Sequence, residues 1–496
     1  MGIIRKQSIF SSIFSYLGFA IGAINKLLIF PAFFSSKQIG LTTLLVDFGL
    51  VFSTVAMLGT NSITYKFFPF YNTYLPKKKN DLPAFTLFFC LGGCLMVICG
   101  LYLAEDFIGR KFGAQSPLFV SHYSLLYPLV VSVALFTLFE AYAWSIRKTV
   151  ISNFLREVGF RLFVFLLLIF YIYKVISLET FFTLYAFIYV PSVLILLIYL
   201  IRSGNFPINF SFSNVTKRIH KRLISFGALI FSSSLLNIIS RAIDVIFLAS
   251  QSTGGLSDAN VFSYGSYMIS IMEVPQRSIN AIATPVIAQA WKDKDKAAIE
   301  NLYHKTSLNL LIVGLAIWGL IYLNMDSAVQ YLGKEYAPMK TVFTIMGIAK
   351  LIDLGTGANA QILLLSKYWR FDFFTNMAYV LVSLPLNYFL IHKFNIYGPA
   401  WANLIALTMF NAVRFTYIWR FFRIQPFTKA TLFAIIIAAA CIFGIHFIPT
   451  MVNMYVDVII RSGIYAGLFA GAILLLNISP DITGLYHMGL QRLKKN

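Results

Sequence analysis

The side chains in this sequence best suited to chemistry are ionised groups embedded in long apolar runs. Lys26 lies inside one such run with no acidic residue within four positions. Arg241 precedes Asp244, and Lys350 precedes Asp353, by three residues; Glu157 precedes Arg161, and Glu273 precedes Arg277, by four. In a helix each of these pairs shares one face. An ionised Lys or Arg at mid-bilayer costs about 2.5 to 3.5 kcal/mol on insertion scales, so it normally faces protein or a wet cavity. Each pair therefore reads in two ways, as a self-neutralised structural pair or as a half-screened cation that still donates to a phosphate. Lys26 reads either as the partner of a carboxylate on another helix or as the lining of a water-filled cavity that receives an anion, and the cavity is preferred. Glu140, alone in its apolar run, is the rival partner for Lys26 or a proton site. Arg156, Arg414 and Arg461 lie near enough to the ends of their runs to be expected to snorkel toward water.

The elements that must position these groups follow from composition. Of 496 residues, 58% are hydrophobic and 12% charged, against about 25% charged in a soluble domain; mean hydropathy is +0.76. A helix needs roughly 20 apolar residues to cross a bilayer, and such stretches recur along the whole chain. They fall near 9–33, 41–63, 82–104, 120–145, 150–173, 178–201, 223–250, 259–290, 305–325, 339–366, 373–392, 396–420, 430–449 and 456–478. The expected fold is all-α, a polytopic membrane protein with about fourteen transmembrane helices.

A net charge of +21 would suggest nucleic acid in a soluble protein. Here the basic residues sit mainly in short loops on one side, among them Lys77 to Lys79, the cluster from Lys217 to Arg222, and Lys292, Lys294 and Lys296. No nucleic-acid partner is expected, and the positive-inside rule places both termini in the cytosol. The expected organisation is a six-helix lobe over 1–203, a basic cytosolic linker over 204–222 and a second six-helix lobe over 223–425. Two additional helices follow over 426–478, then a cytosolic tail over 479–496. An even number of spans per lobe suggests a parallel repeat.

Other chemistries find little support. Cys90, Cys94, Cys99 and Cys441 lie within apolar segments and read as small core residues. Scattered histidines and the lack of a phosphate-loop or zinc-helix motif argue against a metalloenzyme or a one-chain ATPase. The first apolar run is too long for a signal-peptide core and is kept as a span. Prolines within spans, among them Pro275 and Pro285 flanking Arg277, suggest a bent helix near a site.

Ser15-Tyr16-Leu17-Gly18, Lys26-Leu27-Leu28-Ile29-Phe30-Pro31, Gln38-Ile39-Gly40-Leu41 and Leu58-Gly59-Thr60-Asn61 resemble the opening of polysaccharide flippases. These are Wzx-type members of the multidrug/oligosaccharidyl-lipid/polysaccharide exporter superfamily. The resemblance returns at Pro285-Val286-Ile287-Ala288-Gln289-Ala290-Trp291, at Gly357-Ala358-Asn359-Ala360-Gln361, at Tyr368-Trp369-Arg370-Phe371-Asp372, and at Asn395-Ile396-Tyr397-Gly398-Pro399-Ala400-Trp401-Ala402.

The resemblance implies a V-shaped pair of six-helix lobes around a cationic cavity that takes the pyrophosphate-sugar head group of an undecaprenyl carrier, in the bacterial inner membrane. Burial and family expectation together nominate Lys26, Arg241, Arg277 and Lys350 as head-group cations. Glu140, Asp244 and Asp353 are the candidates for proton or sodium coupling, with no other cofactor expected. Membrane lipids, a polysaccharide polymerase and glycosyltransferases are the implied partners. A cation-coupled drug or metabolite antiporter of the same superfamily is the nearest alternative, and its cavity should favour carboxylates. A membrane-embedded glycan polymerase or ligase would be an enzyme and should carry a large external loop, whereas the longest outer loops here are about 15 residues, short beside the roughly 20 needed for one span. A non-enzymatic transporter is expected.

Overall fold

The structure, a computed structural model, describes residues 14–15, 17–146, 148–204, 206–207, 209–449, 451, 453–484 and 486, and the side chains at 229, 233, 237, 241 and 281 lie outside that description. Among the described residues all regular structure is helical. Lipid offers no partner to a bare N–H or C=O, and a helix satisfies its own backbone. Two compact units are formed, Met1–Asn260 and Val261–Asn496.

In the first unit, α1 (Leu17–Phe33) is a short apolar helix. It is followed by α2 (Ser36–Met57), whose start is a reciprocal cap: the Ser35 hydroxyl accepts from the Gln38 N–H and the Gln38 side chain accepts from the Ser35 N–H at 2.8 Å. Leu58 and Gly59 both adopt left-handed backbone (φ 47° and 77°), which ends α2 and lets α3 (Thr60–Tyr74) restart. A Cβ at Gly59 would lie 2.5 Å from the Gly227 carbonyl oxygen. Glycine is thus required twice over, by φ and by close backbone approach.

The unit continues with α4 (Leu82–Leu103) and α5 (Leu126–Ser145). Next comes α6, a continuous rod of Thr149–Phe154, Leu155–Gly159 and Phe160–Ile172, and then α7 (Leu178–Arg202). The long α8 (Asn214–Gln251) packs against α2 and α3. The basic cluster expected in a linker instead occupies the first turns of this helix. The helix starts there because Ser213 caps it, and because the buried Asp81 carboxylate accepts from the Ser213 N–H (2.8 Å) and the Thr216 hydroxyl (2.7 Å). A carboxylate at a helix N-terminus meets unsatisfied N–H groups and a favourable dipole.

The second unit contains α9 (Leu256–Lys292) from Val261 onward, with Pro275 and Pro285 inside it, and α10 (Lys296–Leu323). After it, α11 (Pro338–Gly355) and α12 (Asn359–Leu365) form a pair bent by 47°. Gly357 takes φ +58° at the break, and the Ser307 hydroxyl donates to the Gly355 carbonyl. The hairpin α13 (Trp369–Phe394) and α14 (Gly398–Phe422) follows. The last two helices, α15 (Lys429–His446) and α16 (Met454–Leu475), pack on α10 through Leu311, Leu315, Ala434, Ala438, Tyr465 and Phe469. The Tyr465 hydroxyl donates to the Leu315 carbonyl at 2.9 Å.

Helices run, among the described residues, through each apolar segment read from the sequence. Among the described residues nine are long and apolar enough to cross a membrane, or ten if the bent pair is one span. The count differs from fourteen in part because Trp369–Phe422 is one of the nine although it contains both α13 and α14, and because Leu17–Phe33 is shorter than 18 residues. The outward faces are apolar, with Phe88, Leu103, Phe443, Ile459 and Leu475 well exposed. A surface of this kind needs lipid around it, and the protein is a multi-pass membrane protein. The four cysteines are free thiols, two buried, with Cys99 exposed on such a face. The start of the expected tail is docked: Asp481 accepts from Lys305 (3.1 Å) and Asn309 (2.9 Å) of α10. Lys494 and Lys495 lie outside the described residues.

Candidate functional site

Each unit carries its own cluster of polar groups among apolar helices. In the first, residues Ile24–Ile29 of α1 form a π-helical turn that holds Lys26 half-buried. Leu155–Gly159 of α6 is a second π-helical turn, bearing Arg156 and Glu157. Such one-turn insertions rotate the side chains that follow and are frequent at functional sites. The two helices touch here: the Asn25 amide donates to the Arg161 carbonyl at 2.8 Å, and a Cβ at Gly18 would stand 2.1 Å from the Glu157 carbonyl oxygen. Arg161 folds back on Glu157 at 3.4 Å, as its i,i+4 spacing predicts.

Lys26 has an electrostatic partner in Asp47 of α2, also half-buried. Sequence reasoning passed over Asp47, which lies in an apolar run 21 residues from the lysine; the only signal was its charge in that setting. Glu140, the acid expected to compete for Lys26, is engaged elsewhere. Its Oε2 accepts from Arg156 at 2.9 Å, and its Oε1 is buried with no hydrogen-bond partner. The Arg156 side chain is 53% exposed and that of Glu140 only 3%, so the cation reaches outward while the acid stays inside.

In the second unit the groups from α9, α11 and α14 form a saturated network. The Lys350 ammonium donates to Gln276 Oε1 (2.7 Å) and Asp353 Oδ2 (2.9 Å), and lies 3.9 Å from Glu273. Asp353 also accepts from the Gln276 amide (3.1 Å) and from Asn411 (3.3 Å). Asn411 in turn accepts from Thr356 (3.0 Å) and Asn359 (2.9 Å), on the two sides of the α11–α12 break. Arg277 pairs with Glu273 at 2.9 Å and its side chain is 72% exposed. The expected i,i+3 and i,i+4 contacts at Lys350 and Arg277 are therefore present, but only Arg277 keeps an open flank.

Arg414 and Arg461 differ from the snorkelling expected of them. Arg414 is buried in contact with Asp372, with its guanidinium 4.0 Å from the Phe410 ring centre. Arg461 donates to Asp457 (2.8 Å) and to the Ile448 carbonyl (2.9 Å), tying α16 to the end of α15. An arginine offered a carboxylate and backbone oxygens inside the protein has no need of the interface. Asp244 is half-buried on α8, and the Arg241 side chain lies outside those described. Among the described residues no group of three or more His, Cys, Asp and Glu is placed to hold a metal ion.

No family model matches the chain, and no curated protein matches it. Solved structures do. A lipid II flippase, MurJ in an inward closed conformation, superposes with a TM-score of 0.69 at 13% identity, covering 94% of this chain and 99% of that one. An inward-facing multidrug resistance MATE family transporter of the MOP superfamily gives 0.63 at 15% identity, over 83% and 94%. A mutant Vibrio cholerae MATE transporter gives 0.51 at 11% identity, over 85% and 98%. At these identities the likeness is one of fold alone, shared with this flippase and these transporters.

Proposed function

We propose that this chain is a flippase of the Wzx type that moves an undecaprenyl-pyrophosphate-linked oligosaccharide from the inner to the outer leaflet of a bacterial inner membrane, for cell-surface polysaccharide. The observation that carries the reading is the lodging of cations in apolar helices, Lys26 on the π-turn of α1 and Arg277 on α9, within a fold shared with a lipid II flippase. A pyrophosphate head group needs donors away from bulk water, and a prenyl tail needs the lipid that the apolar outer faces require. Exporting about two negative charges from an inside-negative cell is favoured by about 2.3 kcal/mol per charge per 100 mV. In this reading the two lobes alternate access. Lys26, Arg277 and Arg241 engage the head group, and Glu140 or Asp244 carries a coupling proton or sodium ion. Both termini and the basic start of α8 face the cytosol, where glycosyltransferases build the substrate; a polymerase uses it outside.

A cation-coupled antiporter is the second reading, favoured by the buried Glu140 with one unpartnered oxygen. Gene deletion separates the two. A flippase deletion leaves the lipid-linked intermediate on the inner leaflet and removes the surface polymer. Normal surface glycan in a strain with no redundant exporter, together with lost efflux of a drug or metabolite, would give the antiporter.

A further inference from the structure

The Lys350 ammonium sits in a cage of oxygens. Gln276 Oε1 and Asp353 Oδ2 are at 2.7 and 2.9 Å and Glu273 Oε1 is at 3.9 Å, all within the second unit. The side chain is only 12% exposed. The local charge closes without help, since Lys350 and Arg277 balance Asp353 and Glu273. The cage is also held from behind: Asp353 Oδ1 accepts from Asn411, which accepts from Thr356 and Asn359 across the α11–α12 break. One carboxylate and one amide oxygen at 2.7–2.9 Å around a single positive charge, with a second carboxylate nearby, are the ligand type of a hard monovalent cation. Lysine presents a compact point charge on a flexible stem, able to take the place of one.

We infer that Lys350 is a tethered cation that fills a monovalent-metal site formed by Asp353, Gln276 and Glu273, so that the second unit holds this network together without a free sodium or potassium ion. Lys350 then serves Asp353 rather than a transported anion, and the inference stands whether or not the chain is a flippase. Removing the ammonium leaves two carboxylates and an amide oxygen facing a space of one cation, and a metal ion from solution should take it.

The test is thermal unfolding of the purified full-length protein in detergent, in sodium, potassium or choline chloride at equal ionic strength. Wild type should melt at the same temperature in all three. Lys350→Ala should melt lower in choline and gain, saturably, on the order of a few degrees in sodium or potassium, as ligand linkage requires. The double variant Lys350→Ala/Asp353→Asn should lose that gain. If the single variant is recovered only when purified in a metal chloride, the site is supported. Recovery of the double variant but not of the single one in any salt counts against it. A saturable sodium response in wild type would overturn the inference. So would a Lys350→Ala protein restored by lowering pH in choline but indifferent to sodium and potassium, since Asp353 would then be neutralised by a proton.

Discussion

Arg156 with Glu140 in the first unit and Arg414 with Asp372 in the second are both cross-helix arginine–carboxylate pairs, yet their settings are opposite. In the second, both partners are buried, the guanidinium packs on Phe410, and Asp372 also accepts from Asn376 at 3.2 Å. In the first, the arginine is half open and the acid keeps one buried oxygen without a partner. A closed pair with both carboxylate oxygens engaged holds helices together. An open pair with a bare oxygen can exchange a proton or an ion without tearing a network.

The largest expected effect is at the closed pair. Arg414→Met strands the Asp372 carboxylate and should lower stability by about 3 to 5 kcal/mol, whereas Arg414→Met with Asp372→Leu should recover most of it. Thermal unfolding and membrane abundance of the two variants read this out, and equal losses would remove the contrast. At the open pair, Arg156→Gln should cost less, about 1 to 3 kcal/mol, because the glutamine amide can still donate to Glu140 and no wider network is dismantled.

Lys26 sharpens the comparison from the functional side. Lys26→Gln should reduce flipping at least about tenfold, equivalent to about 1.4 kcal/mol, with Lys26→Arg partly active and both proteins abundant. If abundance falls before activity per molecule, and Asp47→Asn restores it, the lysine serves the Asp47 pair instead.

The smallest effect is at the docked tail. Burial opposes ionisation of Asp481, but hydrogen bonds from Asn309 and Lys305 and the lysine's charge outweigh it and hold the carboxyl below its ordinary range. A lowered folded value means the contribution is fully present above the unfolded value near about 3.9 and is lost as pH falls through the lower folded one. With the side chain 39% exposed, Asp481→Asn should cost less than about 1 kcal/mol at neutral pH. The difference from wild type should vanish in acid, and a difference that grew in acid would contradict the sign.

Helices and local pairs were legible because the chain alone sets them. Apolar length fixes where a helix must form in lipid, and the 3.6-residue period brings Lys350 to Asp353 and Arg277 to Glu273 whatever surrounds them. The bend between α11 and α12 was hidden inside what reads as one apolar run, although its Gly357 is visible as a residue. The basic stretch from Lys217 to Arg222 reads as a linker by composition, and lies in a helix that starts where Ser213 caps it and Asp81, far away in sequence, meets its N-terminus.

The sequence by itself determined that this is a helical protein of the membrane, where its helices lie, and which charges pair along one helix. The tertiary structure alone decided that Glu140 belongs to Arg156 rather than Lys26, that Asp47 is an electrostatic partner of Lys26, and that Arg414 turns inward to Asp372 rather than out to water. The physical reason is that partners on different helices are chosen by how each helix is rotated and bent against its neighbour. The two π-helical turns show how far one extra backbone residue can shift that rotation without any mark in the local sequence.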